Sequence, residues 1–366
     1  MALGCSSSYI QTKVLKDENP YPMFGRIPSR NFFIPQTVTD SVKLLWENET
    51  HGGFTNSSVT VYNPYVFVND LSGRVFCFDI NNGKEIGELK YKGAVYTSPV
   101  VNKFYVIYAV VPENKDGSIL YYYDYANGSV DEKYLIEGKV LTQLIKSKNS
   151  IILNSDNGNV YKFGLYGNKI WETKTNTATH SSPALSENKI VFGNDNGEII
   201  AINEKNGKTL YKKKFGGSFY SGASISDGVI FIGNNDGNLY AVNLYDGKLK
   251  WKFQTHARIV MTPAFNDKNI FVGNLNGNLY SINKETGKKN WEINLSGILN
   301  AAPLVTKNLI LVPDYIGKLV FVEIKSGKII KSLKLPGRAE LTPVFWRNKL
   351  FIGYDNYYLR AYEFVY

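Results

Sequence analysis

Residues 233–253 read GNNDGNLYAVNLYDGKLKWKF, and 40 positions later residues 273–293 read GNLNGNLYSINKETGKKNWEI. A fixed period of this size changes the meaning of every motif inside it, so the whole chain is best read in its register. The last residue of the "LYAVN" strand recurs as Asp79, Asp124, Gly164, Asn203, Asn243, Asn283, Glu323 and Glu363. The spacing is close to 40 throughout, apart from an insertion around residues 112–117 of the second copy.

Each copy opens on a small-residue step, often closed by proline as in Ser98-Pro99, Ser182-Pro183 and Thr262-Pro263. Two short strands follow around an Asn/Asp-Gly turn. A third turn such as Asp246-Gly247 then leads into a strand that can carry Trp. Alternating apolar runs bounded by such turns are antiparallel strands. Four strands per 40-residue unit is the dimension of a propeller blade, whereas helical repeats of that length need a 3.6-residue periodicity that is absent here.

Where the copies begin and end predicts how the ring closes. The eighth copy stops three residues after Glu363 and lacks its Trp-bearing strand, while Val42-Lys43-Leu44-Leu45-Trp46 stands alone ahead of the first copy. The expectation is an all-β, eight-bladed β-propeller of four-stranded antiparallel blades over residues 42–366. Its last blade is completed by the N-terminal strand, which removes the open sheet edges. Trp46, Trp171, Trp251 and Trp291 share one repeat position, with Tyr211 in the same slot, and are expected to pack blade on blade. Trp346 lies outside that pattern.

Composition narrows the function classes. With 42 Lys+Arg against 32 Asp+Glu the formal net charge is +10, but the basic residues are scattered, as on an ordinary solvated surface. The best basic run, Tyr211-Lys212-Lys213-Lys214-Phe215, falls on an outer strand and lacks the stripe of interleaved aromatics that nucleic acid demands, so no nucleic-acid partner is expected. Segments such as residues 193–198, GNDNGE, resemble pieces of a calcium loop. They recur once per blade, and Asn206 stands where an EF-hand loop needs its bidentate Glu, so they are hairpin turns. Two cysteines, Cys5 and Cys77, and three scattered histidines offer no metal set, and no nucleophile triad or phosphate loop stands out.

The motif Asn/Asp-Gly-x-Leu-Tyr-Ala-hydrophobic-Asn, then Gly-Lys and Trp, is matched by residues 237–251 and 277–291 and resembles the PQQ-like propeller repeat. Some members of that superfamily are quinoprotein dehydrogenases with adjacent disulfide-bonded cysteines and a calcium site. Cys77 instead occupies a small-residue strand slot, shared with Ala201, Ala241 and Ser281, so no enzyme, cofactor or small-molecule substrate is expected. Eight blades behind a polar N-terminal stretch look like the BamB family, lipoproteins of the outer-membrane β-barrel assembly machinery. That likeness implies a non-enzymatic envelope scaffold whose partner resembles BamA. A subunit of a different envelope complex, or a quinoprotein-type enzyme, are the alternative readings.

Residues 1–41 contain no repeat and are expected to be a tether. Ala2-Leu3-Gly4-Cys5 resembles the end of a bacterial lipobox, which implies lipidation of Cys5 and a periplasmic location anchored to the outer membrane. No basic or apolar leader region precedes it. By repeat counting, the family's docking loops correspond to residues 175–182 and 216–221. The contact residues of the family, apolar and Arg in one loop and acidic in the other, are not matched there. These loops and the next do offer His180, Phe219, Tyr220, Arg258 and Ile259 as a partner-binding cluster. Lastly, Glu292-Ile293-Asn294-Leu295-Ser296 resembles the acceptor pattern of bacterial N-glycosylation at Asn294.

Overall fold

The computed structural model describes residues 9–366. Its strands form eight antiparallel sheets, six of them four-stranded meanders in chain order, the second irregular and the last completed by the N-terminal strand. The fifth blade illustrates the plan with strands Ser224–Ser226, Val229–Gly233, Asn238–Asn243 and Leu249–Gln254. Its two middle strands are almost wholly buried, while the outer strand alternates exposed and half-buried residues. A sandwiched blade needs this, because the central strands meet neighbours on both faces and the rim faces water on one side.

Closure happens as the orphan strand predicts. Val42–Glu49 pairs antiparallel with Tyr358–Phe364, placing Trp46 opposite Ala361, so the last blade is built from both ends of the chain. Glu47 adds a clasp within it, accepting from both Arg360 and the Tyr354 hydroxyl.

The shared Trp slot joins neighbouring blades by one repeated contact. Trp251 donates its Nε1 proton to the Lys284 carbonyl at 3.1 Å, and its ring lies against Gly287 in a turn of the next blade. Trp291 does the same with Ile324 and Gly327, Trp171 with Glu204 and Gly207, and Tyr211 with Leu244 and Gly247. Trp46 carries the contact across the closure to Ile80 and Gly83. These glycines hold positive φ, and a Cβ on Gly287 would meet the Trp251 ring at 2.7 Å.

The described part of the N-terminal stretch packs into the ring. Between Tyr9 and Ser41 the chain contains no named strand, yet it buries Ile10, Leu15, Tyr21, Met23, Phe24, Arg30, Phe32 and Ile34. Its backbone bonds in turn to Val61, Val101, Leu185, Ile225 and Val305, residues of the innermost strands of five blades. Trp346, outside the repeat pattern, is accounted for here, since its Nε1 donates to the Asn19 carbonyl at 3.0 Å.

The second blade is the irregular one. Its strand Tyr105–Pro112 is eight residues long, and Gly93–Ala94 pairs onto its far end, so the insertion extends a hairpin instead of forming a separate loop.

Candidate functional site

In an antiparallel meander, the loops joining one blade to the next share a face with the turns between second and third strands. The remaining turns lie on the opposite face. On the first face, the inter-blade loops converge on the ring axis, where Thr55, Asn56, Leu141, Gln143, His180, Ser182, Tyr220, Val260 and Thr262 surround a cavity of about 150 Å³. Because these residues come from five different blades, the cavity is the mouth of the central channel.

Both levels of that channel are filled by the chain itself. Near the mouth, Gln143 Nε2 donates to the Asn56 carbonyl at 3.2 Å, and Asn56 Nδ2 reaches the Asn300 carbonyl at 2.6 Å. Below, Phe24 forms the floor and Arg30 lies fully buried beside it. Among the described residues the guanidinium has no carboxylate partner. It donates instead to the carbonyls of Phe24, Gln143, Leu144 and Pro183 at 2.6–3.0 Å, so the N-terminal stretch is bolted to the third and fourth blades. A planar fork of five donors suits convergent carbonyls as no other side chain does. Burial pulls its pKa down to about 9, which leaves it cationic at neutral pH.

Of the five candidate partner-binding residues, the structure brings two together on the surface. His180 and Tyr220 have ring centroids 5.0 Å apart, and His180 Nδ1 lies 3.0 Å from the Asp195 carboxylate. Tyr220 is 42% exposed. Arg258 is exposed on the following loop and makes no side-chain hydrogen bond or ion pair among the described residues. Its counterpart two blades on, Arg338, is tied to Asp355, whereas the position equivalent to Asp355 opposite Arg258 is Leu275.

Phe219 and Ile259 require a correction as contact residues, because both are completely buried. Each lies over a glycine that ends the second strand of the preceding blade, Gly193 and Gly233, and fills the space a Cβ would take. Leu299 repeats this over Gly273, so the position belongs to the core of every regular blade. The alternation that signals it, a buried apolar residue directly before the mouth residue, is visible in Phe219-Tyr220, Ile259-Val260 and Leu299-Asn300.

The two remaining candidates fall elsewhere. Cys5 lies outside the described residues. Asn294 is exposed at the end of an outer strand, but its carboxamide nitrogen donates to the Asn276 carbonyl at 3.0 Å and to Asn278 Oδ1 at 2.6 Å. The atom a glycan would need is therefore engaged in the sheet.

What sequence reasoning missed is the plug. The apolar density of residues 20–34, with Tyr21, Met23, Phe24, Ile27, Phe32, Phe33 and Ile34, is unlike a solvated linker. A second signal is Gly87, which stands in the Trp slot of the first blade, opposite Cys77.

Solved structures share this architecture. BamB from Moraxella catarrhalis superposes with a TM-score of 0.76 at 14% identity, covering 88% of this chain and 100% of that one. The computationally designed Ika8 protein gives a TM-score of 0.73 at 15% identity, over 88% and 100% of the two chains. A quinohemoprotein alcohol dehydrogenase from Comamonas testosteroni gives 0.78 at 11% identity, over 95% of this chain and 81% of that one. Identities this low show the fold alone.

The quinone-dependent member of that set prompts a test of fit. Gln143 and Asn56 cross the channel mouth where a flat cofactor would enter, and the 150 Å³ that remain are well below the roughly 300 Å³ at which ligand pockets begin. Cys77 is buried in the core between the first two blades, far from an axial disulfide. The residues present do not fit a channel-bound quinone.

No curated protein matches the chain at the level of sequence. The family model described as outer membrane protein assembly factor BamB, however, matches residues 38–210, 156–295 and 211–357, which together span most of the propeller. On that coverage and the eight-bladed ring it accompanies, the chain belongs to the BamB family.

Proposed function

We propose that this protein is a non-enzymatic interaction scaffold of the bacterial cell envelope, working on the outer-membrane assembly pathway for which its family is described. The observation that carries the reading is the doubly closed channel. Asn56 and Gln143 span its mouth, and the Phe24–Arg30 plug fills it from the other side. A propeller whose axis is packed with its own side chains has its chemistry on its surface. On the loop face that surface carries Tyr220 packed at a tilt against His180, and on the adjoining loop Arg258, which is unpaired among the described residues. An exposed tyrosine and an exposed arginine on adjoining loops are the residue types that anchor protein interfaces.

Cys5 is proposed as the lipidated anchor that holds the scaffold at the periplasmic side of the outer membrane, and a partner resembling BamA is proposed for the loop face. The test uses the doubly substituted Tyr220→Ala, Arg258→Ala protein, both positions being exposed. Affinity capture from envelope extracts should lose the partner at least tenfold while the melting temperature stays within about 2 °C of the parent. Undiminished capture moves the docking surface off this face. Mass spectrometry of the natively expressed protein checks the anchor, and a Cys5 without acyl chains overturns it.

A further inference from the structure

The opposite face carries a second feature that the scaffold reading does not use. Pro20, Pro22, Tyr62, Phe104, Leu165 and Tyr166 wall a cleft of about 240 Å³ between the plug and the turns of the first three blades. Phe104 and Tyr166 form its lip, with ring centroids 5.8 Å apart, and both are exposed, Tyr166 by 63%. Large aromatics left in water beside a concave apolar wall are an uncommon use of surface.

Among the described residues, the charges that line this cleft are all of one sign. Lys146 enters from the innermost strand of the third blade, and Lys103 lies at the rim with its ammonium 5.2 Å from the centre of the Phe104 ring. No carboxylate among the described residues lines the cleft. Among the described residues the Lys146 ammonium has neither an ion-pair partner nor a hydrogen-bond acceptor, although the side chain is half-buried, and burial lowers its pKa. The nearby acids are already committed. Asp17 accepts from the amides of Asn19 and Asn63, and Asp131 accepts from the Tyr105 hydroxyl. A half-desolvated cation without a partner costs stability unless something neutralises it.

We propose that this cleft is a binding site for a monocarboxylate bearing an aromatic or large aliphatic group, with the carboxylate on Lys146 and the apolar body between Tyr62 and the Phe104–Tyr166 lip. The volume admits one side-chain-sized group, below the range that holds larger ligands. A small organic acid and the carboxyl-terminal residue of a polypeptide present the same chemistry. Nothing in the proposal depends on the envelope reading of the loop face, and the site is a binding site without a reaction.

Calorimetric titration of the whole protein tests it with three probes. These are 3-phenylpropionate, its amide 3-phenylpropanamide, and the tripeptide Ala-Ala-Phe with a free carboxyl end. The acid is expected to bind at least tenfold more tightly than the amide, since the amide keeps the ring and loses the charge-assisted bond. Lys146→Met should abolish that preference while keeping residual ring binding, and Tyr166→Ala, at an exposed position that leaves the fold intact, should weaken both acid and amide severalfold. If the tripeptide binds more tightly than the free acid the site serves chain ends, and if less tightly it serves small acids; either ranking supports the proposal. Equal affinity for acid and amide, an unchanged preference in Lys146→Met, or no binding of any probe overturns it.

Discussion

Blades five and six follow the repeat almost residue for residue, whereas blades one and two depart from it, and the two pairs solve one packing problem differently. Trp251 lies on Gly287 and bonds to Lys284 in the neighbouring blade. In the first blade the same slot holds Gly87, and the backbone of Tyr9 and Ile10 lies where the indole would be. The turn glycine of the second blade, Gly128, meets Gln11 where its counterparts meet Trp. Ile10 is held there by the Tyr123 hydroxyl, which accepts from its amide and donates to its carbonyl, both at 3.0 Å. A repeat can therefore lose its consensus residue without opening a cavity, provided chain from outside the repeat is recruited to fill it. Recruited chain, however, can be removed without touching the ring.

Closure of the ring is where removal should cost most. Deleting residues 1–49 takes away the outer strand of the eighth blade together with Trp46, and the Phe24–Arg30 plug with it, leaving Tyr358–Phe364 as an exposed edge and Ile80 and Gly83 without their indole. Loss of cooperative unfolding and self-association are expected, measured by calorimetry and sedimentation. Deleting residues 1–18 removes only the recruited filler and should lower the melting temperature by a few degrees with the transition still cooperative.

Next in size is Arg30. Its replacement by Ala leaves a cavity at the axis and strips four carbonyls of their donor, a cost of about 3 kcal/mol or more. Arg30→Lys should recover little, because one ammonium on a flexible stem cannot reach carbonyls of Phe24, Gln143, Leu144 and Pro183 together. Urea unfolding of the two variants reads the difference directly. Recovery of most of the loss by Lys would show that the charge alone, and not the fork, holds the plug.

The contrast between the blade pairs explains what the sequence makes legible. Periodicity carries the blades, their number and the closing strand, because strand alternation, turn glycines and the Trp slot are local patterns repeated in register. It says nothing of residues 9–41, whose contacts are with strands up to hundreds of positions away and whose own conformation is irregular. The candidate site shows the same division. Exposure of Tyr220 and Arg258 agrees with their place in a loop, but burial of Phe219 and Ile259 is decided by glycines in another strand of the preceding blade. Aromatic residues in a loop read alike in sequence whether they face water or a missing Cβ.

The two packing solutions can be exchanged. Trp251→Ala should cost about 3 kcal/mol, the usual penalty for emptying a large aromatic site. Gly87→Trp should be destabilising by a comparable amount in the full chain, since any side chain there collides with Tyr9 and Ile10. In a chain lacking residues 1–18 the same Gly87→Trp change should become neutral or stabilising, as the indole takes the vacated slot. A penalty that persists in the shortened chain would mean that the first blade has diverged too far to accept the consensus residue.

The smallest expected effect lies within the regular blades. Asn234 and Asn274 occupy one repeat position, and each uses its side-chain nitrogen to donate to a carbonyl of the preceding inter-blade loop, Gly216 at 2.8 Å and Thr255 at 3.0 Å. In the seventh blade this position is Asp314. Its Oδ1 still accepts from the amides of Ile316 and Lys318, but Oδ2 is buried with no partner, since a carboxylate has no proton to give. Burial raises its pKa above the ordinary carboxylate value. A folded-state pKa raised above that of the unfolded chain means that the native state holds its proton longer. Stability from this group is then intact below the unfolded value, near 3.8, and declines as pH rises through the raised one. Asp314→Asn restores the donor, so it should stabilise the protein by about 1 kcal/mol at pH 7 and by almost nothing at pH 3.5, where the protonated acid can itself donate. Thermal unfolding of parent and variant across that range measures the difference. A gain of equal size at both pH values would place its origin in packing, and a loss at pH 7 would show that Oδ2 is served by water.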